Sequence, residues 1–194
     1  MMKNILKITL LTLMVFGLII YVTAPKQELT QYKLSANLQY FPNIIKIVGD
    51  KEEISKEDIF ITNRRNLLFV SNHDSIAVLK DLNKYHNKDD LNIVLLANIS
   101  SAPWFIKKWV IPSKLEELNQ NSKAFMIYDE NGYYIKLLDI KDHSSTHFVV
   151  FELLDNGDFI KIYESDVKSG ALDGSMSELE IKAFIEDIFA KISK

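Results

Sequence analysis

The side chains of this chain that are able to do chemistry gather in two short segments. One is His73-Asp74-Ser75-Ile76-Ala77 and the other is His143-Ser144-Ser145-Thr146-His147, and together they hold three of the four histidines. Imidazole and carboxylate suit zinc or copper, so His73, Asp74, His143 and His147 form a candidate metal set. A metal-binding protein or metallochaperone is one reading of them. Against it, His147 opens a strand-like run, and strand alternation aims it away from His143. A Ser-His-Asp hydrolase using Ser75 or Ser145 with His73 or His143 is a second reading, but the chain has no Gly-x-Ser-x-Gly elbow. The plainer alternative is a set of exposed loop histidines, with Asp74 or Ser75 capping a helix.

Composition removes other chemistries. The chain contains no cysteine, which excludes disulfides, zinc-thiolate centres and thiol nucleophiles together. Its net charge is -3, and no long basic run follows residue 7, so nucleic acid is not an expected partner. Glu116, Glu117, Asp129 and Glu130 have no paired-carboxylate spacing and read as solvated surface. No cofactor is called for. Trp104, Phe105 and Trp109 follow Pro103. The two tryptophans are five residues apart and do not share one narrow helical face. Ordinary core packing is expected here, with Lys107 and Lys108 in solvent. The alternative is that one ring is exposed and touches a partner or a membrane surface.

The elements that must position these residues follow from periodicity. Residues 40–48 read as a strand with Pro42 near its start, and Ser55 and Asp58 suggest a short helical turn or a loop. Leu67-Leu68-Phe69-Val70 and Ile93-Val94-Leu95-Leu96-Ala97 are continuous apolar runs, the mark of strands buried on both faces. Between them a helix is predicted from Asp74 or Ser75 to about His86, with Ile76, Leu79 and Leu82 on its apolar stripe. Residues 101–119 read as a helix in two pieces interrupted at Pro112, the second with capping-box spacing at Ser113 and Glu116. Ala124–Tyr128 is a third strand, and Tyr133–Leu138 a short element of open type. His147–Leu154 is the strongest strand, closed by Asp155-Asn156-Gly157 into a hairpin with 158–164. A terminal helix is marked by Ser177 and Glu180 and by one apolar face from Ile181 to Ile192.

Strand, helix, strand, helix, strand, then a hairpin and a terminal helix is the order of a thioredoxin-like α/β domain. On the segments LLFVSNHDSIAVLKDL, NIVLLANISSAP, AFMIYDENG and HSSTHFVVFELLDNGDF, the chain resembles thioredoxin-like domains of the TlpA and peroxiredoxin kind. More narrowly, it resembles the cysteine-free periplasmic YtfJ family. The likeness covers about Asn66 to Lys191. It implies a mixed sheet flanked by helices, with the two chemistry-bearing segments side by side. It also implies that Asp74, Ser75, Ile76 and Ala77 occupy the place of the redox Cys-x-x-Cys pair, where a helix N-terminus stabilises a thiolate. Ser144, Ser145 and Thr146 take the place of the cis-proline loop. Since a cis bond before a residue other than proline costs about 3 kcal/mol, that loop is expected to be trans. The fold would then survive without its redox chemistry.

The N-terminus reads as an address. Lys3 and Lys7 precede Ile8–Ala24, which carries no charge. At 1.5 Å per residue that stretch makes about 25 Å of helix, near the lower limit for spanning a bilayer core. The leading lysines place the N-terminus in the cytoplasm and the rest outside. The chain thus divides into a signal anchor at 1–24, a tether at 25–39 and a domain at 40–194. Cleavage after Ala24 as a signal peptide is the rival reading, with Pro25 disfavouring the cut. Either way, the expected location is the periplasmic side of the bacterial inner membrane, with an envelope protein as partner.

Overall fold

The apolar run at 67–70 is uninterrupted because layers cover both of its sides. The computed structural model describes residues 36–49, 53–86, 88–109, 111–120, 122 and 124–193. In chain order its elements are β1 (Ile44–Lys46), β2 (Glu53–Ser55), α1 (Lys56–Ile59), β3 (Arg65–Ser71), α2 (His73–Leu79), α3 (Leu82–Tyr85) and β4 (Leu91–Asn98). They continue with α4 (Trp104–Trp109), α5 (Ile111–Asn119), β5 (Phe125–Asp129), α6 (Tyr133–Leu137), β6 (His147–Leu153), β7 (Phe159–Asp166) and α7 (Glu178–Ile192). The predicted anchor at 1–24 and most of the predicted tether lie outside the described residues. Among the described residues, no helix is long and apolar enough to cross a membrane.

Five strands form the main sheet in the order β5-β4-β3-β6-β7. β3, β4 and β5 run parallel, and β6 and β7 antiparallel. Side chains along a strand alternate between faces, and the core divides accordingly. Leu67, Phe69, Ile93, Leu95, Met126, Phe148 and Val150 share one cluster with Ile76 and Leu79 of α2 and Ile185, Ile188 and Phe189 of α7. Leu68, Val70, Val94, Leu96, Ile127, Val149 and Phe151 share the other with α6 and the N-terminal hairpin. Each fully buried side chain of this size contributes about 1.5–3 kcal/mol, so the two-sided burial of β3, β4 and β6 dominates the stability.

Polar pairs fix the register at both ends of β3 and β4. Asn92 Nδ2 donates to Asn66 Oδ1 at 2.7 Å, and at the opposite end Asn98 Nδ2 donates to Asn72 Oδ1 at 2.7 Å. The antiparallel β1–β2 hairpin brings Phe41 and Phe60 under the sheet, where the Phe41 ring stacks on Phe159 with centroids 4.9 Å apart. Folded structure also begins before Tyr40. Asn37 bridges Asp158 through backbone and side chain, and Leu38 N–H donates to the Gly157 carbonyl at 2.7 Å. These bonds fasten the 36–39 stretch to the tip of the β6–β7 hairpin.

Several local expectations hold. Of the two readings around Ser55 and Asp58 the helical turn is found, as α1 with Ser55 at its N-cap; Ser177 and Glu180 form the capping box of α7, and Asn156-Gly157 closes the hairpin, with Gly157 at φ +85°. Others are corrected. The helix predicted up to His86 is two helices, because the Asp81 N–H turns back to the Val78 carbonyl and tightens the chain before Leu82 is buried. α5 starts at Ile111, which puts Pro112 in its first turn, where a missing N–H costs nothing; Ser113 is then inside the helix and not its cap. Residues 133–137 are helical. Asp129, expected in solvent, is 2% exposed and accepts from the N–H groups of Tyr133 at 2.9 Å and Ile135 at 3.0 Å, so it seats the start of α6.

Candidate functional site: the closed start of helix α2

β3 delivers the chain directly into α2, and β6 starts beside it, so the two segments singled out in the sequence do meet. The first-turn N–H groups of a helix lack intrahelical acceptors and favour a negative group; in a redox thioredoxin-like domain a thiolate would exploit this. In this chain a backbone carbonyl takes that role. Ser145 O accepts from Asp74 N–H at 2.8 Å and lies 3.4 Å from Ser75 N–H. The loop that stands in the cis-proline position thus caps the helix that stands in the redox position. No cis peptide bond occurs among the described residues.

The side chains close the junction further. Ser75 is 0% exposed; its Oγ accepts from Asn72 N–H at 2.8 Å and lies 3.0 Å from the carbonyls of Asn72 and His147, to one of which it donates. Asn72 Nδ2 donates to the Ser144 carbonyl at 2.8 Å. The N-cap of α2 is Asn72, where the sequence points to Asp74 or Ser75. Asp74, 6% exposed, turns away from the helix toward the 3-10 turn Ala171–Asp173. Its carboxylate accepts from Gly170 N–H at 3.1 Å, Ser145 Oγ at 3.3 Å and Leu172 N–H at 3.5 Å. Burial pushes the Asp74 carboxyl up, but the Gly170 and Leu172 N–H groups, neighbouring His73 and the Ser145 hydroxyl together hold it below its ordinary value. Ile76 and Ala77, the remaining residues of the redox slot, are buried, Ile76 within the core.

The histidines part company. His73 and His143 are exposed, and His73 Nδ1 lies 3.5 Å from Asp74 Oδ1. His147 is 8% exposed and faces acids that local sequence does not single out: Nδ1 is 3.7 Å from both Asp142 Oδ2 and Asp166 Oδ1, and Nε2 is 4.0 Å from Glu164 Oε2. β7 carries Glu164 and Asp166 toward the ring, since His147 pairs with Asp166 across β6 and β7 and Thr146 Oγ1 donates to Asp166 at 2.8 Å, while Asp142 comes from the loop before β6. A cavity of about 450 Å³ lies alongside, lined in part by Leu138, Asp142, His147, Phe151 and Glu164. A run of acids two residues apart on the partner strand, Glu164 and Asp166, is the available signal. Among the described residues, no group of three or more His, Cys, Asp or Glu side chains is placed to hold a metal ion. Neither Ser75 nor Ser145 hydrogen-bonds an imidazole: Ser75 Oγ meets only backbone groups, and Ser145 Oγ donates to Asp74. A nucleophilic serine needs a base within hydrogen-bond reach.

The tryptophans also differ from expectation. Trp104 and Trp109 are both exposed, at 71% and 70%, with ring centroids 6.3 Å apart in an edge-to-face arrangement. α4 is short, and neither tryptophan is among the residues of the two core clusters.

Order and direction of the strands, with helices on both faces and no cysteine, make this a thioredoxin-like α/β fold without a thiol. No protein-family profile matches the chain, and no curated protein sequence matches it. Solved structures are similar to the chain at low identity. An uncharacterized conserved protein from Geobacillus kaustophilus is 12% identical, with 82% of this chain and 83% of that one covered and a TM-score of 0.49. StoA from Bacillus subtilis is 13% identical over 73% and 93%, with a TM-score of 0.43. AhpC from Enterococcus faecalis is 17% identical over 83% and 96%, with a TM-score of 0.45. Strand order and the parallel crossovers, not these likenesses, carry the fold assignment.

Proposed function

We propose that this chain is a non-catalytic binding or structural module of the cell envelope. In this reading residues 8–24 hold it on the periplasmic side of the bacterial inner membrane, and the thioredoxin-like domain recognises an envelope protein, as its resemblance to the cysteine-free YtfJ family suggests. The observation that carries the reading is the start of α2. The place where a redox relative would keep its thiolate has no cysteine, and its donors and acceptors are taken up by Ser145, Asn72 and the 170–172 turn. The polar groups at the start of α2 are engaged with one another and with the 170–172 turn, which leaves them little to offer a reacting substrate.

Crosslinking in intact cells tests this. The full chain carrying photo-crosslinking residues across its surface should recover one protein reproducibly, from positions that cluster on one face. Recovery of no specific partner, or a turnover that depends on Ser75 or Asp74, sinks the reading. Fusion of a reporter active only outside the cytoplasm to Lys194 tests the compartment; an inactive reporter on a stable fusion removes it.

A further inference from the structure

Among the described residues several large apolar side chains stand outward, Leu179 and Ile44 among them, but on α4 two of them are aromatic and adjacent. Trp104 and Trp109 stand about 70% exposed and in mutual contact on a helix of sequence WFIKKW. Lys108 is exposed between them, and Lys107 Nζ donates to the Glu130 carbonyl at 2.7 Å. From Ile99 to Leu115 the chain carries Lys107, Lys108 and Lys114 and no acid, in a protein whose net charge is -3. Glu116 and Glu130 line the adjacent groove, so the positive character belongs to the helix itself.

We propose that α4 docks on the surface of an anionic bilayer, with the two indoles in the headgroup region and Lys107 and Lys108 against lipid phosphate. Indoles favour that region because an apolar body and one N–H donor match its gradient from hydrocarbon to water. The lysines decide between a membrane and a protein. Lysine is depleted at protein–protein interfaces, whereas a negative lipid surface attracts it. The proposal rests on the membrane-anchored reading above, which keeps the domain close to a bilayer. Residues 25–35 separate the uncharged stretch from Ala36, a reach of at most about 40 Å. Asn37 lies by the β6–β7 turn, at the sheet end opposite α4. The reach of residues 25–35 exceeds one strand length, roughly 26 Å.

The chain has two tryptophans, Trp104 and Trp109, so its intrinsic tryptophan fluorescence reports on α4 alone. The full chain is reconstituted into phosphatidylcholine vesicles with and without phosphatidylglycerol. Docking predicts a blue-shifted emission and a loss of intensity with brominated lipid in the phosphatidylglycerol vesicles, both reversed by salt. Lys108→Glu should abolish the shift while leaving the thermal melt and the vesicle association unchanged. Trp104→Phe and Trp109→Phe, each leaving one reporter, should both retain a shift. Identical emission in the two vesicle types, with no quenching by brominated lipid, overturns the proposal. So does a crosslinker at position 104 or 109 that captures a protein in place of lipid. Alkaline carbonate extraction is read separately. A chain that is stripped from vesicles defeats the anchor, and one that stays but shows no shift defeats only the docking.

Discussion

β3 and β4 end side by side at the same edge of the sheet, and the chain enters a helix after each, yet the two junctions are finished in opposite ways. After β3 the chain passes straight into α2, and Ser145, Asn72, Ser75 and Asp74 satisfy one another within a few ångströms. After β4 it runs through Ser100–Pro103 into α4, and the largest side chains of the protein stand in solvent. Ends of parallel strands are where α/β folds place their ligands. The contrast shows that position in the fold is not enough. One junction keeps the location and has its polar groups engaged with one another; the other leaves two indoles in solvent beside an open groove lined by Lys107, Lys108, Glu116 and Glu130.

Cysteine probes give the largest expected separation between the two. Ser75→Cys buries its thiol at a position that is fully enclosed, while Lys108→Cys exposes it. Labelling of the first requires an opening that approaches global unfolding, whose equilibrium lies at about 10³ or beyond for ordinary domains. An aromatic disulfide reagent should therefore modify the Ser75→Cys variant at least about 100-fold more slowly than the Lys108→Cys variant, allowing for some loss of stability in the former. Comparable rates would mean that the α2 junction opens locally and is not sealed.

Asp74→Ala should cost about 2–3 kcal/mol in urea unfolding, since it removes a buried carboxylate and at once strands the half-buried Gly170 and Leu172 N–H groups and the Ser145 hydroxyl. The same carboxylate sets an acid limit. Its folded pKa lies below the ordinary value near 3.8, so its contribution is complete above that pH and disappears as pH falls through the folded value. Asp74→Asn should be less stable at neutral pH and lose less on acidification below about pH 4 than the unaltered chain does. Parallel acid unfolding curves would show that Asp74 is not the group responsible. Asn72→Ala, which breaks the bonds to Ser144 and Asn98, should cost a smaller amount, about 1–3 kcal/mol.

These differences also mark what the sequence makes legible. β3, β4 and β6 are readable because two-sided burial leaves continuous apolar text, and α7 because its capping box and apolar face are local patterns. The meeting of 73–77 with 143–147 is readable from element order. What lies beyond reach depends on distant partners. Nothing near Asp74 announces Gly170 and Leu172, nearly a hundred residues away, and a helix cap is the reasonable local reading. Asp129 looks like one acid of a surface turn, yet its burial follows from the way β5 delivers it under α6. His147 sits in a strand whose neighbour's acids converge on it only through the β6–β7 register. Composition alone places the tryptophans inside, because large aromatic residues are mostly buried, and nothing in the local sequence announces that both rings stand in solvent.

Trp104→Ala and Trp109→Ala carry the smallest expected effect on stability, and for the comparison they matter as much as the largest. A side chain about 70% exposed has little burial to lose, and surface changes away from caps and cores stay within about 0.5 kcal/mol. A shift in urea midpoint of that size or less, with an unchanged slope, is the result expected of rings that face outward from the domain. A loss of about 2 kcal/mol or more, approaching what core aromatics give, would instead mean that α4 packs in solution against its own domain. The two junctions would then be finished alike, and the outward-facing surface proposed for lipid would vanish with the contrast.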